Sequence, residues 1–192
     1  MAQSMADVWK DIPRSIVPTI DLNSRLDMID LYQAGLTARS TTLLGDEAQI
    51  LVMGESYMAV RTSRASVLQI KRLEKSRKPL YAIVITVEAP VPHSRVELYN
   101  AKWESISLDK RLPDIGVEAF VVDSLSGDYR ELLLGNVKVN TLQYNMSEES
   151  TDLIVKPSFM QVLDKNIREE LTPYIRPELR LSWRGRKWVL QQ

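Results

Sequence analysis

The chain has 192 residues, with 25 basic and 25 acidic side chains and no cysteine. Cancelled charge argues against a general attraction to nucleic acid or to an anionic membrane. The missing thiols exclude disulfides, thiolate nucleophiles and cysteine-ligated zinc or iron–sulfur centres.

Met1-Ala2-Gln3-Ser4 has neither the charged nor the apolar region of a signal peptide. No apolar run approaches the roughly 18 residues of a membrane span. Ser4 and Asp7 form a capping pair ahead of a helix near 4–12, with Met5, Val8, Trp9 and Ile12 at helical spacing and Pro13 as its stop. Trp9 is expected to anchor the core. A second helix is expected near 23–36, capped by Asn23 or Ser24, with Leu22, Leu26, Ile29 and Leu36 on its inner side. Asp27 and Asp30 read as a solvated face.

Thr37–Ala48 is polar and carries a Gly45-Asp46 turn. Strands follow at Ile50–Met53, Tyr57–Ser63 and Ser66–Leu73, a meander. The basic run Lys71–Lys78 fits a solvent-exposed hairpin end, because no glycine-rich loop or stacking aromatic accompanies it.

Tyr81–Trp103 supplies the central hairpin. Tyr81, Ile83, Ile85 and Val87 share one face, expected to be fully buried; Ala82, Val84, Thr86 and Glu88 share the other, expected to be partly covered. Pro90 and Pro92 end the first strand, and Arg95–Tyr99 forms the second with Val96 and Leu98 on one side. Each buried aliphatic side chain here is worth roughly 1.5–3 kcal/mol, so the hairpin is a folding element.

Beyond Trp103 the pattern loosens, and 105–116 is where the chain could divide. A short strand is expected at Ala119–Val122, a turn at Ser126-Gly127-Asp128, and two strands at Tyr129–Leu134 and Val137–Met146. Glu148, Glu149 and Asp152 read as a polar turn, since the oxygen pattern and glycine of a calcium loop are missing. Leu153–Val155 is a strand, Phe159–Leu171 an amphipathic helix, and Leu179–Trp183 with Arg186–Leu190 a hairpin around Arg184-Gly185 in which Trp183 and Trp188 pair across. An echo between Thr62–Lys71 and Ser147–Lys156 admits two related sheet halves. The fold class is therefore α+β: antiparallel twisted sheets of short meandering strands, two N-terminal helices and one later helix, in a single domain spanning 1–192.

Little chemistry is visible. His93 is the one histidine, so no multi-histidine metal site is available, and no nucleophile elbow or nucleotide cradle occurs. No catalytic, cofactor-binding or metal-ligating residue is nominated, and no cofactor is expected. His93, Trp183, Arg184 and Trp188 are nominated as an interaction surface, because tryptophans beside arginines can stack a ligand.

Several segments together resemble an uncharacterised exported family of Bacteroidetes bacteria, a domain of unknown function. They are Trp9…Ile12-Pro13…Pro18, Arg25–Leu31, Thr62-Ser63-x-x-Ser66, Ala89-Pro90-Val91-x-x-Ser94-Arg95-Val96-x-Leu98-Tyr99 with Trp103, and Leu181-Ser182-Trp183-x-Gly185. The resemblance covers nearly the whole chain. It implies export with the signal removed, Ala2-Gln3-Ser4 lying near the mature start, and hence a periplasmic or cell-envelope location. Some relatives place cysteines around the proline turn; this chain has none, so no disulfide role carries over, and the family brings no catalytic residues. The expected function is a non-enzymatic binding or assembly role toward an unknown protein or glycan of the envelope, without nucleic acid. The alternative is an envelope hydrolase using dispersed carboxylates.

Overall fold

A computed structural model describes residues 3–74, 79–88, 90–122 and 126–191. Ser4 and Asp7 cap each other reciprocally at the start of α1 (Met5–Asp11), which buries Met5, Val8 and Trp9. The cap of α2 (Leu22–Gln33) is Asp21, whose carboxylate accepts the Ser24 N–H at 3.0 Å, rather than Asn23 or Ser24. Its inner side also differs from expectation. Arg25, Met28 and Ile29 are buried, while Leu22, Leu26 and Leu36 face outward. The cause is Arg25, whose guanidinium donates to the Trp9 and Ile12 carbonyls at 3.2 and 2.5 Å. Those carbonyls end α1 without an intrahelical partner, and satisfying them turns Arg25 inward.

The first sheet is a six-stranded antiparallel meander of β1 (Arg39–Thr41), β2 (Glu47–Met53), β3 (Tyr57–Ser63), β4 (Ser66–Arg72), β5 (Leu80–Val87) and β6 (His93–Asn100), ordered as in the chain. β1 falls inside the segment expected to be merely polar. In the central hairpin, Ala82 pairs with Leu98 and Val84 with Val96.

Both faces of this sheet are covered. Tyr81 and Ile83 join Met58, Val60, Leu68 and Ile70 beneath α1 and α2. On the opposite face Ala82 and Val84, expected to be partly covered, are wholly buried, and it is Val87 on the first face that reaches solvent. Alternation assigns the two sides of a strand; what later packs on each side depends on distant chain.

That later chain forms α3 (Gly127–Asn136), α4 (Lys165–Leu171) and a second antiparallel sheet of β7 (Gln143–Asn145), β8 (Leu153–Lys156), β9 (Leu179–Arg184) and β10 (Lys187–Leu190), ordered β10-β9-β8-β7. Leu153, Val155, Leu179 and Leu181 share one apolar cluster with Leu80, Ala82, Val84, Val96 and Leu98 of the first sheet. Phe120 and Phe159 meet edge to face within it, with ring centroids 5.8 Å apart.

Four expected elements change. Tyr129–Leu134 is helical, and Ser126-Gly127-Asp128 starts that helix: arginine, glutamate and leucine are good helix formers, and Asp128 suits the positive end of the dipole. Ala119–Val122 is a single turn of 3-10 helix over Val117–Phe120, with Val121 bridging Ile175. Phe159–Leu171 divides into a 3-10 turn over Ser158–Val162 and α4, separated at extended Leu163. Of Val137–Met146, only Gln143–Asn145 is strand.

The basic run is corrected as well. Lys71, Arg72 and Leu73 are buried, Lys71 at 2% exposure. The Lys71 ammonium donates to the Glu148 carbonyl at 2.7 Å and to Ser56 Oγ at 3.1 Å, and Arg72 donates to the Gln3 and Glu55 carbonyls. Lys75–Lys78 of the same run lie outside the described residues, as do Ala2 and Ala89.

Candidate binding face

The second sheet has an inner and an outer side. Leu153 and Val155 of β8 and Leu179 and Leu181 of β9 point into the core. Strand alternation then turns Ile154, Lys156, Arg180, Ser182 and Arg184 outward. The register completes this face. Gln143 lies opposite Lys156, Asn145 opposite Ile154, and Ile154 opposite Arg180; Arg184 lies opposite Lys187. A depression of about 530 Å³ runs over Gln143, Asn145, Ile154, Lys156 and Arg180, with Glu149, Asp152 and Glu178 also on its wall.

Four cations therefore share one face: Lys156, Arg180, Arg184 and Lys187. Arg180 pairs with Asp152 at 3.2 Å. Among the described residues, Lys156, Arg184 and Lys187 have no ion-pair partner. In a chain with no net charge, these three cations stand unpaired among the described residues on a face whose depression also carries the carboxylates of Glu149, Asp152 and Glu178.

Where β8 leaves the sheet, the face opens into a cleft of about 300 Å³. Gln143 and Lys156 border it on the sheet side, Met160 and Gln161 on the 3-10 turn, Arg168 on α4, and Ile175 and Pro177 beyond. Arg168, half-buried, makes no ion pair among the described residues. Ser158 borders the same cleft with its hydroxyl buried and unpartnered.

The nominated interaction residues divide between two places. Trp183 and Trp188 do pair across β9 and β10, with centroids 4.5 Å apart at 64°. Trp188 is 2% exposed, and its indole N–H donates to the Thr151 carbonyl. On this hairpin the accessible residues of the set are half-buried Trp183 and exposed Arg184, of which Arg184 stands on the outer face. The hairpin turn is Gly185-Arg186, one residue later than expected, both at positive φ as a tight two-residue turn requires.

His93 is elsewhere. It opens β6 and borders a groove of about 480 Å³ with Asp109, Asp114 and Asn140. Its Nδ1 accepts the Leu142 N–H at 3.4 Å. Two further N–H groups on the same edge of β7 are met similarly: Tyr144 donates to Ser94 Oγ at 2.9 Å and Met146 to Gln69 Oε1 at 2.8 Å. Ser94 also shares a 2.8 Å hydrogen bond with Thr86. His93 and Ser94 thus join the two sheets, and the Ser94 hydroxyl is already engaged twice.

Sequence reasoning missed Lys156, Arg180 and Lys187 as surface partners of Arg184. The i, i+2 spacing of Arg180, Ser182 and Arg184 was the available signal; the sheet order that adds Lys156 was not.

A family model described as a protein of unknown function (DUF3256) matches residues 1–188. A solved structure, of a domain of an uncharacterized protein from Porphyromonas gingivalis W83, is similar over 100% of this chain and 99% of that chain, with a TM-score of 0.85. At 19% identity that likeness is one of fold. No curated protein matches the chain.

Proposed function

The chain belongs to the DUF3256 family of proteins of unknown function, and from that premise we propose that it is a non-enzymatic binding protein of the cell envelope. Its partner is an anionic protein or glycan, held on the outer face of the second sheet. The observation that supports this is the set Lys156, Arg184 and Lys187, unpaired among the described residues and gathered on one face of a chain with no net charge. A solvent-facing sheet surface with separate cations and amides suits an extended anion better than a reacting bond. Location in the envelope rests on the family resemblance drawn from the sequence.

The hydrolase alternative needs an acid held protonated. Among the described residues, the acids with displaced pKa values, Asp7, Asp21 and Glu149, all move downward. Hydrogen bonds favour their charged forms: from the Ser4 side chain to Asp7, and from backbone N–H groups at Ser24 to Asp21 and at Glu149 itself.

The test is retention on a carboxylated polysaccharide matrix, such as polygalacturonate, at low salt. Retention is expected to fall steeply as salt rises. The triple variant Lys156→Glu, Arg184→Glu, Lys187→Glu should pass unretained, whereas reversing exposed Arg39 and Arg64 on the first sheet should not matter. Equal retention of both variants would defeat the proposal.

A further inference from the structure

We propose that the cleft between β8 and α4 is a binding site for a small amphipathic carboxylate, one acid group on a short apolar chain. The inference rests on the reading of the outer face as anion-binding and names what the adjoining cleft holds. Two cations border the cleft, Lys156 from the end of β8 and Arg168 from α4, and no acidic residue among the described ones borders it. Neither cation has an ion-pair partner among the described residues. An arginine fork can meet both oxygens of a carboxylate, and a lysine adds a point charge without geometric demand. Gln143 and Gln161 offer amide donors to the remaining lone pairs.

The rest of the lining is mostly apolar, Met160, Ile175, Pro157 and Pro177, with the hydroxyl residues Ser158 and Thr172 beside them. Methionine adapts to irregular ligands, and Ile175 is itself packed into the core. A volume of about 300 Å³ lies at the small end for ligand sites, enough for a short chain and too little for a polymer. Charge at the rim with hydrocarbon inside favours a monocarboxylate over a sugar or an inorganic anion.

The test uses hexanoate as the probe and the methyl carbon signal of Met160, identified by its loss in Met160→Leu, as the readout. Hexanoate is expected to shift that signal saturably, with hexanol and hexylamine at least tenfold weaker. Arg168→Gln should weaken hexanoate at least tenfold, while Arg168→Lys keeps part of the affinity; an unchanged melting temperature shows that each variant folds. No saturation by hexanoate, equal binding of hexanol, or an indifferent Arg168→Gln would overturn the assignment. If hexanoate fails while polygalacturonate retention persists, the cleft assignment alone is wrong. If both fail, the reading of the face falls with it.

Discussion

The carboxamide oxygen of Gln69 accepts two protons at once, from the Met146 N–H at 2.8 Å and the Tyr57 hydroxyl at 3.2 Å. On β4 this residue alternates with Leu68 and Ile70, so its sequence context describes an ordinary half-solvated strand. It is nevertheless buried, because the strand that needs its oxygen lies far along the chain. Gln69→Leu keeps the bulk and removes the acceptor, stranding two donors at about 1–3 kcal/mol each. Urea unfolding should show that loss. Tyr57→Phe should then cost less in the Gln69→Leu background than alone, since its hydroxyl has already lost its partner.

α2 buries Arg25 beside Met28 and Ile29 and leaves Leu22 and Leu26 outward. Leu26 is 37% exposed while Met28 is wholly buried and Arg25 almost so. Leu26→Lys should change stability by less than about 0.5 kcal/mol. Met28→Lys should cost on the order of 3–5 kcal/mol, because it buries a charge with nothing to answer it; denaturant titration separates the two. The central hairpin could be read from sequence because period-two alternation and paired prolines are local signals. α2 could not, because its orientation is set by carbonyls of another helix, at Trp9 and Ile12. α3 is obscured for a different reason: Tyr129–Leu134 is a short run of helix formers set among segments of strand character, too short for a helical period to stand out. Of the candidate site, Arg184 was legible beside its tryptophans. Lys156 and Arg180 required the register of β8 against β9, which no local pattern encodes.

At the level of the whole molecule, residues from both sheets occupy one apolar cluster. We infer that the chain unfolds in a single transition, and alkali offers a direct probe. Burial pushes the hydroxyls of Tyr57 on β3 and Tyr144 on β7 up to about 12, from an ordinary value of 10.0. Tyr99 on β6 is likewise pushed up to about 12, chiefly by burial and further by its hydrogen bond to Glu97. A raised tyrosine pKa stabilises the folded state fully below the unfolded value, and that stability fades as pH rises from about 10 through 12. Tyrosinate absorbance and far-ultraviolet circular dichroism should therefore change together in that interval. Two separated steps would mean that the sheets let go independently.

Three alternate N–H groups along the outer edge of β7 lean on His93, Ser94 and Gln69. A fragment holding only the later half of the chain would leave that row of donors unanswered, next to the uncovered hydrocarbon of Leu153, Val155 and Leu181. Such an edge recruits any available strand, most readily one from an identical fragment. The earlier half thus insulates the later one against polymerising, a duty separate from whatever the outer face captures.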